Sequence, residues 1–308
     1  MALERLVVLV GGVGGAKLAL GLTHISPPES LTFIVNTGDD MTYYGLHISP
    51  DIDTLLYTLS GRVDPVNGWG VAGDTRAMLE TLRDFGESPW FGLGDKDIAT
   101  HLIRTTMLSQ GYRLTEAIAR LAESMHVLPR VLPMCDALVP TMIETVEEGT
   151  LAFQEYFVKH RWQPTVKAIH HQDAEGAALS PEVKQAIAQA DAIIIAPSNP
   201  WLSIAPILAV PGMREALLAR DVPRVAVTPI VNGEAIKGPT AKIMAELGLE
   251  VTAESVATYY GGLLTGFISD VQDTFRNLKG LRTTAFDTIM INDTRKIALA
   301  REVLDWIG

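Results

Sequence analysis

Apolar residues fall along this chain in short unbroken runs, separated by stretches of helical periodicity. Leu6-Val7-Val8-Leu9-Val10 is the first run, and residues 31–36, 192–196, 224–228, 266–269 and 282–286 are further strand candidates, most of them rich in Val, Ile or Thr. A run without polar alternation reads as a strand buried on both faces. Between the runs the spacing predicts helices over 17–25, 181–189, 211–220, 239–247, 253–264 and 293–306. Pro181, Pro211 and Pro239 stand where a first-turn proline is tolerated. Strands that alternate with helices imply an α/β fold: a doubly wound, mainly parallel, Rossmann-like sheet covered on both faces.

The middle of the chain breaks this rhythm. From about residue 54 to 126 the pattern is mainly helical, with helices over 95–109 and 114–126. Short strands follow near 130–134, 141–146 and 151–158, the last two joined as a hairpin across Glu147-Glu148-Gly149. Residues 1–60 and 166–308 therefore read as a Rossmann-like core, and 61–165 as a mostly helical insertion carrying a small β hairpin. Such an insertion covers the C-terminal edge of the sheet, where open α/β sheets bind their ligands. His170-His171-Gln172-Asp173 reads as a surface loop.

Composition narrows the setting. Hydrophobic residues make up 47% of the 308, enough for a substantial core. No apolar stretch reaches the roughly 18 residues of a membrane span, and the N-terminus runs straight into a core strand, so neither a span nor a signal peptide is expected. The single cysteine, Cys135, rules out an intramolecular disulfide framework and fits a reducing, cytoplasmic location. With no basic activator near it in sequence, it reads as structural. A net charge of −11 argues against general nucleic-acid or anionic-membrane binding. An acidic protein that holds a nucleotide needs local N–H donors, a few basic side chains or a divalent cation.

The first strand runs directly into Gly11-Gly12-Val13-Gly14-Gly15-Ala16-Lys17, with a helix expected from near Lys17. Gly11, Gly12, Gly14 and Gly15 let backbone approach a ligand, and the helix end offers unpaired N–H groups and a positive dipole end. That combination suits phosphate. Two better-known fingerprints fail here. Lys17 lacks the following Ser or Thr of a P-loop, and it also stands where the dinucleotide pattern needs its third glycine.

After the second strand comes Asn36-Thr37-Gly38-Asp39-Asp40, and then Ser49-Pro50-Asp51-Ile52-Asp53-Thr54. The carboxylates of Asp39, Asp40, Asp51 and Asp53 would repel one another unless a cation sat among them. Magnesium takes one or two carboxylates plus phosphate oxygens and water, which this arrangement can supply. The simpler alternative puts Asp39 in a turn and lets Asp51 and Asp53 cap a helix that begins near Thr54. In the insertion, Asp74 or Thr75 is the natural cap of the helix that follows. Thr100, His101 and Arg104 lie on neighbouring turns of the 95–109 helix, although a helix histidine at such spacing is more often a satisfied structural one. Pro133-Met134-Cys135-Asp136 and Pro197-Ser198-Asn199-Pro200 are strand-end turns, and in the second Ser198 and Asn199 could hydrogen-bond a base or phosphate.

Taken in order, these segments, with Leu93-Gly94-Asp95-Lys96-Asp97, Ala99-Thr100-His101, Phe153-Gln154-Glu155-Tyr156-Phe157, Lys237-Gly238-Pro239 and Asp287-Thr288, resemble one family. It is the 2-phospho-L-lactate transferase family of coenzyme F420 biosynthesis, and the resemblance runs from residue 5 to about 305. It implies transfer of a phospholactyl, phosphoenolpyruvyl or related group from a guanosine diphosphate-activated donor. The acceptor is the ribityl hydroxyl of the deazaflavin Fo, GMP is released, Mg²⁺ is required and a homodimer is expected.

Carried onto this chain, the resemblance implies that Gly11, Gly12, Gly14, Gly15 and Lys17 hold the donor's phosphates while Ser198 and Asn199 help to place guanosine. Asp39, Asp40 and Asp51 become the metal ligands, and Asp51 and Asp53 the groups that orient or deprotonate the Fo hydroxyl. Asp53, Asp95, Thr100, His101, Arg104 and Asp136 would wall the acceptor. Family members often carry a basic residue before Leu-Gly-Asp, where this chain has Gly92. The rival class is a non-enzymatic, nucleotide-sugar-binding regulator with a related glycine turn, against which the Ser-Pro-Asp-x-Asp and Leu-Gly-Asp-x-Asp segments argue. A dinucleotide oxidoreductase is disfavoured by the broken fingerprint.

Overall fold

The six apolar runs all become strands of one sheet. A computed structural model describes residues 3–274 and 278–308. The strands are β1 (Leu6–Val10), β2 (Leu31–Val35), β3 (Arg130–Pro133), β4 (Ala192–Ile195), β5 (Arg224–Val227), β6 (Gly266–Asp270) and β7 (Arg282–Phe286). Their order is β7-β6-β5-β4-β1-β2-β3, and every neighbouring pair is parallel. Successive side chains of β1 enter opposite cores: Leu6, Val8 and Val10 on one face, Val7 and Leu9 on the other. Burial on both faces is why the interior runs carry no polar alternation; the edge strand β7, Arg-Thr-Thr-Ala-Phe, is only partly buried.

β3 was expected within the insertion but pairs with β2 as the edge of the central sheet. Its short apolar pattern marks a strand and carries no information about which sheet receives it. The hairpin forms as expected, residues 141–145 pairing with 150–152, and residues 166–171 add a third antiparallel strand. His170 and His171 therefore lie in a strand rather than in a loop. Residues 155–159, expected as strand, turn into a short π-helix in which Phe157 stacks on Phe153 at 5.3 Å between ring centroids. The helix expected over 211–220 is shorter, Met213–Leu218, and a separate short helix, Ala205–Ala209, precedes it.

Two helix starts lie earlier than expected. Helix α1 (Gly12–Thr23) begins five residues before Lys17, so the glycines form its first turn. Glycine disfavours helix on its own, and close packing overrides that preference here. A Cβ at Gly14 would lie 2.4 Å from the Pro197 carbonyl oxygen, and one at Gly15 2.8 Å from Ser198 Oγ. Helix α2 (Pro50–Leu59) has Pro50 at its first position, so Asp51 and Asp53 sit inside the first turn instead of capping it. Helices α3 (Ala77–Asp84), α4 (Asp95–Ser109) and α5 (Leu114–Ser124) complete the insertion's helical part.

The chain departs from β1 toward β2 and β3, then returns to place β4 on the other side of β1. That reversal opens a crevice beyond the C-terminal ends of β1 and β4, the position where doubly wound sheets bind ligands. Gly11, Asn36 and Ser198 all lie there. No helix among the described residues is long and apolar enough to cross a membrane.

Candidate active site

The glycine turn is held from behind. Ser198 Oγ accepts from the Gly11 amide at 3.1 Å and donates to its carbonyl at 2.7 Å, tying the end of β4 to the end of β1. Asn199 caps the next helical turn, accepting from the Trp201 and Leu202 amides, and its Nδ2 donates to Thr240 Oγ1. Both side chains are thus employed in shaping the crevice. Of the four glycines, Gly11, Gly14 and Gly15 have no room for a Cβ, whereas Gly12 has a φ of +63° and faces open space. Gly12 is therefore the glycine whose backbone a ligand can approach. Lys17 points elsewhere: its Nζ donates to the Met290 carbonyl at 3.0 Å. Burial and the charges of Lys237 and Lys296 hold its ammonium below the usual lysine range.

In front of the turn lie the carboxylates. Asn36, at the end of β2, donates from one Nδ2 to Asp39 Oδ1 at 3.0 Å and to Asp51 Oδ2 at 2.9 Å. The Gly12 amide hydrogen-bonds to Asp51 as well, so the N-terminus of α1 meets a carboxylate of α2. Asp39, Asp40 and Asp51 are each less than a tenth exposed. Burial, reinforced for Asp39 by the Asp51 charge, drives Asp39 well above the usual carboxylate range; burial pushes Asp51 up to about 6. Among the described residues neither Asp39 nor Asp51 has a cationic side chain in ion-pair contact. Asp40 is set apart: its Oδ2 accepts from Ser49 Oγ at 2.7 Å and lies 3.0 Å from His47 Nε2, while its Oδ1 is buried without a partner.

Asp53, two residues beyond Asp51, has the opposite surroundings. Arg104 of α4, fully buried, forms a two-pronged ion pair with it. His101 stands between two carboxylates, 3.5 Å from Asp53 and 3.3 Å from Asp97. Tyr57 Oη donates to Asp97 at 2.6 Å and is 2.9 Å from Thr100 Oγ1. Burial pushes Asp97 up, but the His101 contact and the Tyr57 hydrogen bond bring it below the ordinary carboxylate value. Asp53, Asp97 and His101 place ligand atoms within 4.8 Å of one another, the spacing of a metal centre. The guanidinium already pairs with Asp53, one of the two carboxylates of that group, and a divalent ion beside Arg104 would be repelled. Arg104, Thr100 and His101 thus come together as expected, in a buried network that joins α4 to α2.

The remaining residues expected to wall the acceptor are helix caps here. Asp95 accepts from the Ala77 and Met78 amides at the start of α3, and Asp74 from the Lys96 and Asp97 amides at the start of α4. Asp74 or Thr75 was expected to cap α3; Asp95 does so instead, while Asp74 caps α4. Asp136 accepts from the Thr115 amide at the start of α5 and pairs with Arg113. Sequence reasoning gave no role to Asn36, His47 or Tyr57. Asn36 carried a signal, because it directly follows a strand at the ligand edge. His47 and Tyr57 carried none.

These segments can now be set beside known proteins. The model of the family described as 2-phospho-L-lactate transferase CofD matches residues 6–301. The chain belongs to that family. It is 41% identical over 310 residues to a phosphoenolpyruvate transferase of Streptomyces griseus, covering 98% of each chain. It is 37% identical over 304 residues to a 2-phospho-L-lactate transferase of Methanosarcina mazei, covering 97% of this chain and 99% of that one. A solved structure of a UPF0052-family protein from Bacillus halodurans superposes with a TM-score of 0.65 over 99% of this chain and all of the other. At 18% identity that likeness speaks for the fold alone.

The residues present fit magnesium. Asp39 and Asp51 are buried carboxylates held together by a neutral amide, with no counter-charge of their own. Their oxygens are the hard donors that ion prefers, and two carboxylates leave room for phosphate and water.

Proposed function

We propose that this protein transfers a phospholactyl or phosphoenolpyruvyl group from a guanosine diphosphate-activated donor to the deazaflavin Fo, releasing GMP. The observation that carries the reading is the uncompensated Asp39–Asp51 pair, joined by Asn36 at the Gly12 end of α1. Family membership supports a transferase of coenzyme F420 biosynthesis. Asp39 and Asp51 would hold Mg²⁺, which when bound neutralises charge on the donor's diphosphate.

The chain's own residues do the rest. The free amides of the first turn of α1, reached past Gly12, receive phosphate oxygens. Asp51 orients the ribityl hydroxyl and takes its proton as that oxygen bonds to phosphorus; the bridging P–O bond breaks and GMP leaves. Asp53 is a positioning residue in this scheme, since Arg104 holds both of its oxygens. Incubation with Fo, a guanosine diphosphate-linked donor and Mg²⁺, followed by mass spectrometry of the deazaflavin, tests the reading. The expected result is a deazaflavin heavier by the transferred phospho-acid, with equimolar GMP. No mass change with lactyl, enolpyruvyl or glyceryl donors would sink it and favour a binding-only regulator.

A further inference from the structure

The insertion holds a cleft of about 160 Å³ lined by Trp69, Arg76, Gly73, Gly92 and Asp97, among others. One end reaches the phosphate side of the molecule. Gly68 packs on Val13 of α1, where a Cβ would lie 2.8 Å from Val13 Cγ1, and Lys237 Nζ donates to the Asn67 carbonyl at 2.7 Å. At the other end stands Asp97, tied through Tyr57 to α2. The acidic groups around it are employed: Asp64 accepts from the Val66 and Asn67 amides, and Asp74 caps α4.

Three features of the lining are unspent. Trp69 is 46% exposed and makes no ring contact or hydrogen bond among the described residues. The Arg76 side chain has no hydrogen bond or ion pair among the described residues either, and its guanidinium lies over Gly92, 3.7 Å from where a Cβ would stand. Gly92 itself is needed neither by a left-handed backbone nor by packing, because a Cβ would meet only that guanidinium at ordinary contact distance. What its missing side chain leaves is room in the cleft.

We propose that this cleft stacks a flat heteroaromatic ring of one of the two substrates, with the Trp69 indole on its face and Arg76 donating to its carbonyl edge. The inference rests on the transferase reading and names the part of the site that grips a ring rather than a phosphate. Guanine and deazaflavin share that chemistry, so both are probed. Binding of GDP and of Fo is measured separately by calorimetry for the wild type, Trp69→Ala, Trp69→Phe and Gly92→Phe, each checked for an unchanged thermal midpoint.

Trp69→Ala and Gly92→Phe are expected to weaken one of the two ligands about tenfold or more, and Trp69→Phe to retain most of that affinity. The same ligand should quench tryptophan emission in the wild type, with the Trp69 share of the quenching lost in Trp69→Phe. The ligand affected identifies the ring. If the wild type binds both ligands and neither variant changes either affinity, the cleft assignment is overturned and the transferase reading stands. If the wild type binds neither ligand and turns over no donor, the transferase reading fails and takes the ring assignment with it.

Discussion

Asp51 and Asp53 differ by two positions on one helix turn and live in opposite electrostatic worlds. Asp53 is clasped by a buried arginine and flanked by His101. Asp51 has only the Asn36 amide and the end of α1, and it shares its surroundings with a second carboxylate, Asp39. A buried charge that is paired contributes to holding helices together; one left unpaired is a standing demand for a ligand. The contrast teaches that charge balance, rather than residue type or density, separates a carboxylate left without a counter-charge from one locked in an ion pair.

The sharpest break of this contrast is Asp51→Asn. It should lower transfer on the order of 10²–10³-fold while leaving the thermal midpoint unchanged or higher, because a strained buried charge is removed. Steady-state GMP release and calorimetric melting read the two effects. Arg104→Met tests the other side. Leaving Asp53 buried and unpaired should cost about 3–5 kcal/mol of stability in denaturant unfolding, and the double variant Asp53→Leu/Arg104→Met should recover most of it. Failure of the double variant to recover would mean that Asp53 has duties beyond the ion pair.

The third prediction concerns pH. Asp51 titrates higher in the folded chain, near 6, than the unfolded value of about 3.9, so the folded state binds more protons between those limits. Its contribution is therefore fully present below pH 4 and lost as pH rises through about 6. The melting temperature of metal-free wild type minus that of Asp51→Asn should fall from pH 5 to pH 7.5, and Mg²⁺ should raise the wild-type midpoint at pH 7.5 but not at pH 5. A Mg²⁺ effect equal at both values would refute the carboxylate site. Asn36→Ala, which lets the pair drift apart, should weaken Mg²⁺ about tenfold by titration. Smallest of all, Asp136→Ala should cost about 1 kcal/mol through loss of the α5 cap, with no change in KM for Fo.

Much of this is legible in the sequence. The apolar runs named six of the seven sheet strands, and the glycine turn with its acidic neighbours named the ligand edge. Boundaries were less secure where tertiary packing overrides local preference, as at α1, whose glycines are helical because Pro197 and Ser198 press against them. Capping chemistry was recognised in Asp74 but assigned to the adjacent helix, since sequence proximity cannot reveal that Asp95 and Asp74 cap in exchange.

The sequence by itself determined the parallel α/β layering, the position of the glycine turn and the family, because these follow from periodicity and ordered local motifs. Which carboxylates stay uncompensated was decided only in three dimensions. Arg104 stands 51 residues from Asp53 and Asn36 stands 15 from Asp51. Ion pairing depends on distances of a few ångströms, and those distances are set by how α4 and α2 pack, which no local pattern encodes.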